Sequence, residues 1–333
     1  MIDFQKLRSL IEQNQTYLLT THVNPDADAL GSAISLYYVL KKLGKEARVV
    51  NHSETPYNLA FLDPENIIEK YNPELHDSLF EESDAIVALD LNQANRIVSM
   101  EGKFRESNST KICIDHHKDA ENFVDFLFTD ENYAATAEII FDLIEHTKIA
   151  ELDYNIALQI YAGIITDTGS FRYERTTART HRIIAKLIEA GVNPEIISDE
   201  IYYQNDFSKF KLLAESLSTL SLSGEGKIAY MLVTQEAIKR TGAIEADVDG
   251  FVSYCMSVKN VKIGLLFYEL KDGFKISFRS KGNIPINKLA GEFGGGGHFH
   301  AGGTRLYNES LDEYIPKVLA TAEKYIKESE TEE

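Results

Sequence analysis

Four short apolar runs in the first half of this chain end on acids or histidines. Tyr17-Leu18-Leu19-Thr20-Thr21 runs into His22-Val23-Asn24-Pro25-Asp26-Ala27-Asp28, and Ala85-Ile86-Val87-Ala88-Leu89 into Asp90. Lys111-Ile112-Cys113-Ile114 leads to Asp115-His116-His117, and Gly163-Ile164-Ile165-Thr166 to Asp167. Continuous apolar runs, without strict alternation, fit strands covered on both faces, as in a parallel sheet flanked by helices. In such sheets ligands sit outside the carboxyl ends of the strands, which is where these acids and histidines fall. Gathered at one edge they would repel one another unless a cation neutralised them. A metal site is therefore the first expectation.

The remaining pattern predicts an α/β chain of two parts. Strands are expected at 17–22, 46–51, 84–90 and 111–115, with a helix over about 29–43 that stops at Gly44. From Ala134 onward helical periodicity dominates: 134–147, 153–166, 178–190, 194–203 and about 207–221. Gly191-Val192-Asn193-Pro194 is a stop and restart, with Pro194 in the first turn. Ser221-Leu222-Ser223-Gly224-Glu225-Gly226 reads as the end of a linker. Beyond it, strands at 227–234, 261–270 and 274–279 mix with helices at about 235–242, 247–257, 285–292 and 310–326, a smaller α+β domain.

Charge bounds the partners. Lys plus Arg is 34 and Asp plus Glu is 52, a net charge of −18 over 333 residues. Gripping long nucleic acid takes a basic footprint, because neutralising phosphates supplies most of the affinity. A nucleotide substrate should therefore be small and held by a few local cations. No apolar run reaches membrane-spanning length, and the start, Met1-Ile2-Asp3-Phe4-Gln5-Lys6, has no secretory pattern. Cys113 and Cys255, both in apolar contexts, read as buried thiols of a reducing compartment, so a cytoplasmic location is expected.

Each cluster has a reading in chemistry and one in structure. Pro25 keeps His22–Asp28 out of a helix, and Asp26 and Asp28, two apart, can converge with His22 on a cation; alternatively Asp28 caps the next helix. His116 and His117, adjacent on an extended segment, should point in opposite directions, one toward a metal and the other toward substrate. Asp26, Asp28, Asp90 and Asp167 make four carboxylates, which two divalent ions would balance. Paired metals are known to hydrolyse phosphate esters, and an oxygen-plus-imidazole shell suits Mn²⁺, with Mg²⁺ as the alternative. Near the other end, Gly294-Gly295-Gly296-Gly297-His298-Phe299-His300-Ala301-Gly302-Gly303 can bring backbone N–H groups close to a phosphate. It is not a Walker loop, since Gly303 stands where lysine is needed. Arg279 and Lys281, just before it, can recognise phosphate.

Taken together these residues resemble the DHH phosphoesterase superfamily. The signature is Asp115-His116-His117, preceded by His22-x-Asn24-Pro25-Asp26-x-Asp28-x-x-Gly31-Ser32 and Asp90 and followed by Thr166-Asp167-Thr168-Gly169. Phe278-Arg279-Ser280-Lys281 and the glycine–histidine run are similar to the DHH-associated substrate domain. Length and layout look most like the NrnA-type oligoribonuclease and pAp phosphatase group. The resemblance implies a catalytic domain at 1–204, a linker helix and linker at 205–225 and a substrate-binding domain at 226–333, with a cleft between the lobes. It implies that His22, Asp26 and Asp90 hold one metal and that Asp28, Asp90, His116 and Asp167 hold the other. His117 would face the phosphate with Asp115 behind it, and Arg279, Ser280, Lys281, Gly296, Gly297 and His298 would bind substrate.

The implied activity is two-metal hydroxide attack that trims very short oligoribonucleotides to mononucleotides and converts 3′-phosphoadenosine 5′-phosphate (pAp) to AMP. The alternative is a phosphodiesterase for cyclic or linear dinucleotides such as c-di-AMP, pApA or pGpG. A manganese pyrophosphatase fits the glycine–histidine run less well, and a RecJ-like exonuclease on long DNA fits neither size nor charge. A nucleotide-binding regulator with a dead site is opposed by the complete set of six ligand candidates. A homodimer is allowed. One departure concerns substrate contacts, not metals: the family pattern often carries Asn before the Thr-Thr that follows the Asp167 motif, and Arg175 stands there in this chain.

Overall fold

The computed structural model describes residues 2–332, the side chains of His298 and Glu332 excepted. The chain divides into two units between Gln204 and Asn205.

In the first unit six strands, β1 (Thr16–Thr21), β2 (Glu46–Asn51), β3 (Ile68–Lys70), β4 (Ala85–Leu89), β5 (Thr110–Asp115) and β6 (Phe126–Thr129), form one parallel sheet in the order β3-β2-β1-β4-β5-β6. The chain winds outward from β1 to β3, returns to β4 beside β1, and winds the other way. That reversal puts the topological switch point between β1 and β4, outside whose carboxyl ends ligands bind in sheets of this kind. Both faces are covered. Tyr17, Leu19, Val49, Val87, Ile112 and Ile114 pack under one layer. That layer comprises α1 (Phe4–Gln13), α2 (Ala27–Lys42), α6 (Thr136–Thr147) and α7 (Tyr154–Asp167). Leu18, Val50, Ile86, Ala88 and Cys113 pack on the opposite side with Phe80, Ile97, Met100 and Phe104. Phe80 comes from α4 (Leu79–Glu82), which follows the short α3 (Pro73–His76), Phe104 from α5 (Glu101–Glu106), and Ile97 and Met100 from the 3₁₀ turn before α5. Burial on two faces is why the strands read as unbroken apolar runs. Helices α8 (Ala178–Glu189) and α9 (Pro194–Tyr202) complete the unit.

Helices α2 and α7 pack closely because Gly31 has no side chain: a Cβ there would lie 2.4 Å from the Gln159 carbonyl oxygen. That approach sets Asp28, on the first turn of α2, and Asp167, the last residue of α7, on the same side of the unit.

The second unit is built on a mixed sheet, order β11-β12-β10-β9-β8-β7. Its strands are β7 (Ser221–Ser223), β8 (Ile228–Val233), β9 (Ile263–Leu270), β10 (Gly273–Ser280), β11 (Gly296–His298) and β12 (Ala301–Tyr307), and only β8 and β9 pair in parallel. One face carries α10 (Phe207–Ser218), α11 (Gln235–Thr241) and α12 (Val252–Ser257), the other α13 (Ile286–Gly291) and α14 (Leu311–Glu332). The expected linker over 205–225 needs correcting. Leu212 and Leu213 of α10 are buried in the core of this unit, and 221–223 is an edge strand. The serines and glycines suggested a tether, but the apolar positions of the preceding helix bind it into the domain. Among the described residues no helix is long and apolar enough to cross a membrane.

Candidate active site

Asp90 sits at the centre. It follows β4 at the point where the strand order reverses, in a left-handed conformation (φ +59°), with its N–H donated to the Ile114 carbonyl of β5. Aspartate tolerates this region better than most residues, and the turn aims its carboxylate back along the sheet edge. Its Oδ2 lies 3.4 Å from His22 Nε2, and its Oδ1 lies 3.5 Å from His116 Nε2 and 3.6 Å from His117 Nδ1. His22 thus arrives from β1, Asp90 from β4, and His116 and His117 from β5.

The other acids close the group on two sides. Asp26 Oδ2 is 3.9 Å from His22 Nε2, while Asp28 Oδ2 and Asp167 Oδ2 are 3.9 Å and 3.2 Å from His116 Nε2. Three overlapping sets result, each with ligand atoms within 4.8 Å of one another: His22, Asp26 and Asp90; Asp28, His116 and Asp167; and Asp90, His116 and His117. All six residues expected around metal are therefore together. Asp115 is fully buried behind His117, its Oδ1 accepting the ring Nδ1–H at 2.6 Å and its Oδ2 the backbone N–H at 3.1 Å.

One alternative and one expectation change. Asp26, not Asp28, caps α2: its Oδ1 accepts the N–H groups of Asp28 and Ala29 at 3.1 and 3.0 Å, which leaves Oδ2 for His22. Asp28 instead accepts from another helix, taking the N–H groups of Thr136 and Ala137 at the start of α6 at 2.7 and 2.9 Å. The open N–H groups and the positive end of that helix suit a carboxylate. The two histidines do not diverge either. β5 ends at Asp115, strand alternation lapses there, and the His116 and His117 rings stand 4.6 Å apart against the same Asp90 carboxylate.

The electrostatics match a cation site. Burial pushes the Asp28 carboxyl well above its ordinary value, helped by the charges of Asp90 and Asp26; Asp90 rises well above its own through burial and then Asp26. Asp167 moves the same way, from burial and then Asp28 and Asp26. Burial, then the neighbouring His117, lowers His116 to about 3, and burial also lowers His22. Burial opposes ionisation of Asp115 too, but the His117 hydrogen bond and the two imidazoles outweigh it and hold that carboxyl low. Carboxyls pushed toward the protonated form and imidazoles pushed toward the neutral form are what a bound divalent cation reverses and uses, respectively. Each ligand histidine is also oriented for it: His22 Nδ1 faces the Val23 carbonyl at 2.9 Å and His116 Nδ1 the Tyr133 carbonyl at 3.3 Å. With the ring hydrogen on Nδ1, Nε2 keeps its lone pair toward the acids. Oxygen and imidazole donors without thiolate fit hard divalent ions such as Mn²⁺ or Mg²⁺.

Several supporting residues escaped the sequence reading. Thr136 donates its hydroxyl to Asp90 Oδ1 at 2.9 Å, so one residue at the start of α6 holds both Asp28 and Asp90. The only sign was a run of small residues, Ala134-Ala135-Thr136-Ala137, opening the helix pattern. Tyr133, whose carbonyl orients His116, donates its hydroxyl to Asp142 at 2.7 Å, and Arg179 pairs with both Asp142 and Glu138.

In the second unit Arg279 and Ser280 lie on opposite faces of β10. Arg279 is opposite Ala301 of β12 and donates to the Phe278 carbonyl at 2.9 Å. Ser280 is buried, with its hydroxyl donated to the Ile284 carbonyl at 2.8 Å. That corrects its expected substrate role: adjacent strand residues cannot share a face, and Ser280 ties the turn after β10. The Lys281 amine donates to the Met256 carbonyl. Gly296 and Gly297 belong to β11, opposite Gly303 and Gly302 of β12. The expected role of the His298 side chain falls outside the described residues.

A doubly wound sheet with acids and imidazoles gathered at its reversal, joined to a mixed-sheet unit, has the layout of an α/β phosphoric ester hydrolase. Residues 16–164 match the DHH family, N-terminal domain, and residues 225–328 match the DHHA1 domain. The chain is 34% identical over 305 residues to the bifunctional oligoribonuclease and PAP phosphatase NrnA of Thermus thermophilus, covering 90% of this chain and 87% of that one. It is 28% identical over 324 residues to the protein of the same name from Bacillus subtilis, covering 95% and 96%. The crystal structure of an exopolyphosphatase-related protein from Bacteroides fragilis superimposes with a TM-score of 0.93 at 30% identity, over 97% of each chain. The chain belongs to the DHH family.

Proposed function

We propose that this protein is a metal-dependent phosphodiesterase and phosphatase that hydrolyses very short oligoribonucleotides to mononucleotides and pAp to AMP. The observation that supports this most is the convergence of acids and imidazoles from β1, β4, β5, α2 and α7 on one buried carboxylate, Asp90. His22, Asp26 and Asp90 would hold one divalent cation, and Asp28, Asp90, His116 and Asp167 a second. Bound there, the cations would acidify an attacking water and stabilise negative charge on the phosphoryl oxygens.

The protein's own groups do the rest. Asp115 fixes the His117 ring through Nδ1, so Nε2 is the atom that would carry a proton to the leaving oxygen. Thr136 and the N-terminus of α6 hold Asp28 and Asp90 in place. Residues 226–333 would serve as the substrate-binding domain, with Arg279, Lys281 and the backbone at Gly296 and Gly297 taking a terminal phosphate. The net charge of −18 favours short substrates over long strands. A cytoplasmic location agrees with two buried, unpaired cysteines.

The test is a substrate panel with Mn²⁺. The protein is expected to release AMP from pAp and mononucleotides from a short oligoribonucleotide. Turnover of inorganic pyrophosphate with neither of these would contradict the assignment.

A further inference from the structure

The turn after α7 brings Arg175 to the edge of the cluster. Its Nη1 lies 3.2 Å from His116 Nδ1 and 3.5 Å from the carbonyl oxygens of His116 and Tyr133, so one corner of the half-buried guanidinium is anchored. The other edge, Nε and Nη2, makes no hydrogen bond among the described residues, and no carboxylate among them pairs with Arg175. Arg8, Arg48, Arg105 and Arg179 of the same unit pair with carboxylates, whereas Arg96, Arg172 and Arg182 share the lack of one among the described residues; what sets Arg175 apart is its contact with His116. Arg175 lies near enough to Asp167 to favour its charged form, yet does not bond to it.

Hydrogen-bond accounting makes the open edge more significant. When His116 offers its Nε2 lone pair to a cation, its Nδ1 carries a hydrogen toward the Tyr133 carbonyl. The Arg175 contact to Nδ1 is then donor against donor, and the two carbonyl contacts are at the long limit for a hydrogen bond. The open edge leaves donors for an acceptor from outside the protein, and its fork fits the paired oxygens of a phosphate.

We propose that Arg175 is a substrate-binding residue of the catalytic unit, gripping phosphoryl oxygens of the nucleotide beside His116. This rests on the phosphoesterase reading above. The phosphoryl oxygens belong either to the group being cleaved or to a terminal phosphate next to it.

The experiment compares Arg175→Ala and Arg175→Lys with the parent, loaded with Mn²⁺. Calorimetry measures binding of Mn²⁺ and of a pAp analogue with methylene groups in place of both ester oxygens, which binds without being cleaved. Kinetics are measured on pAp and on the dinucleotide ApA, which has no terminal phosphate. Arg175→Ala is expected to take up Mn²⁺ as the parent does and to bind the analogue roughly 10- to 100-fold more weakly, the range of a lost charge-assisted bond. Arg175→Lys should recover part of that affinity, keeping the charge without the fork. An equal fall in kcat/KM on both substrates assigns the grip to the scissile group, and a fall on pAp alone assigns it to the terminal phosphate. Parent-like binding of the analogue in Arg175→Ala would overturn the proposal. So would parallel loss of Mn²⁺ and analogue binding, which would make Arg175 only a support for His116. If the parent cleaves neither substrate, the functional reading fails, while the analogue titration still judges Arg175.

Discussion

At Asp90, a backbone turn in the left-handed region and a hydroxyl from Thr136 fix one carboxylate between His22 and the His116–His117 pair. The candidate ligands were legible as residues, because strand ends place side chains at a sheet edge whatever the details of packing. Their partners were not. That Asp28 binds the start of α6, 108 residues away, depends on a contact between segments remote in sequence. Two predictions belong at this scale. His117→Ala removes the group held by Asp115, so kcat should fall by about 10²–10⁴-fold while Mn²⁺ uptake persists, as calorimetry and steady-state kinetics would show. The second concerns metal-free protein. Asp28, Asp90 and Asp167 have folded-state values raised by burial and mutual repulsion, so their folding contribution is present at low pH and is lost as pH rises through those values. His22 and His116 are lowered, so their cost to folding appears only below about 6.5, the ordinary histidine value. Above about pH 6.5 the histidines no longer contribute, and the remaining effect of these groups on chelated protein is a melting temperature that falls, not rises, as pH climbs. Saturating Mn²⁺ should remove that decline. A metal-free melting temperature that rises over this interval would contradict the assigned cause.

Among the elements, most of the principal helices and strands followed from periodicity, because two-sided burial and amphipathic helices leave strong signals, but α1 and β12 were not predicted. Nor did the short ones follow. β3 has three residues, and the polar-looking stretch 91–110 hides a 3₁₀ turn and α5, with Ile97, Met100 and Phe104 buried singly between exposed or half-buried neighbours. The glycine run gave no strand signal, yet it forms β11 paired with β12. The structure separates its glycines. At Gly297, φ is +142° and a Cβ would lie 2.3 Å from the Ala301 carbonyl oxygen, whereas a Cβ at Gly296 would meet nothing within 4 Å. Gly297→Ala should therefore destabilise the second unit by about 1–3 kcal/mol. Gly296→Ala should leave the melting temperature unchanged but weaken binding of pAp if substrate approaches that backbone. Equal destabilisation by both substitutions would show that the hairpin packs differently.

Over the whole molecule, the chain builds two sheets of opposite character. A parallel sheet with a reversal in strand order presents one edge on which acids and imidazoles collect, and an antiparallel-rich sheet presents arginine and exposed backbone. The sequence located the two units, but it misread α10 and β7 as a tether, since serine and glycine mark turns inside domains as readily as between them. The acidic balance of the chain agrees with the site: a protein of net charge −18 that also buries Asp28 and Asp90 gains most from a bound divalent cation. The most direct measurement is a calorimetric titration of metal-free protein with Mn²⁺, beside the variant Asp90→Asn. The account predicts two ions per chain in the parent and loss of both high-affinity sites in the variant, because both sites share Asp90. No uptake by the parent, or parent-like uptake by Asp90→Asn, would contradict it.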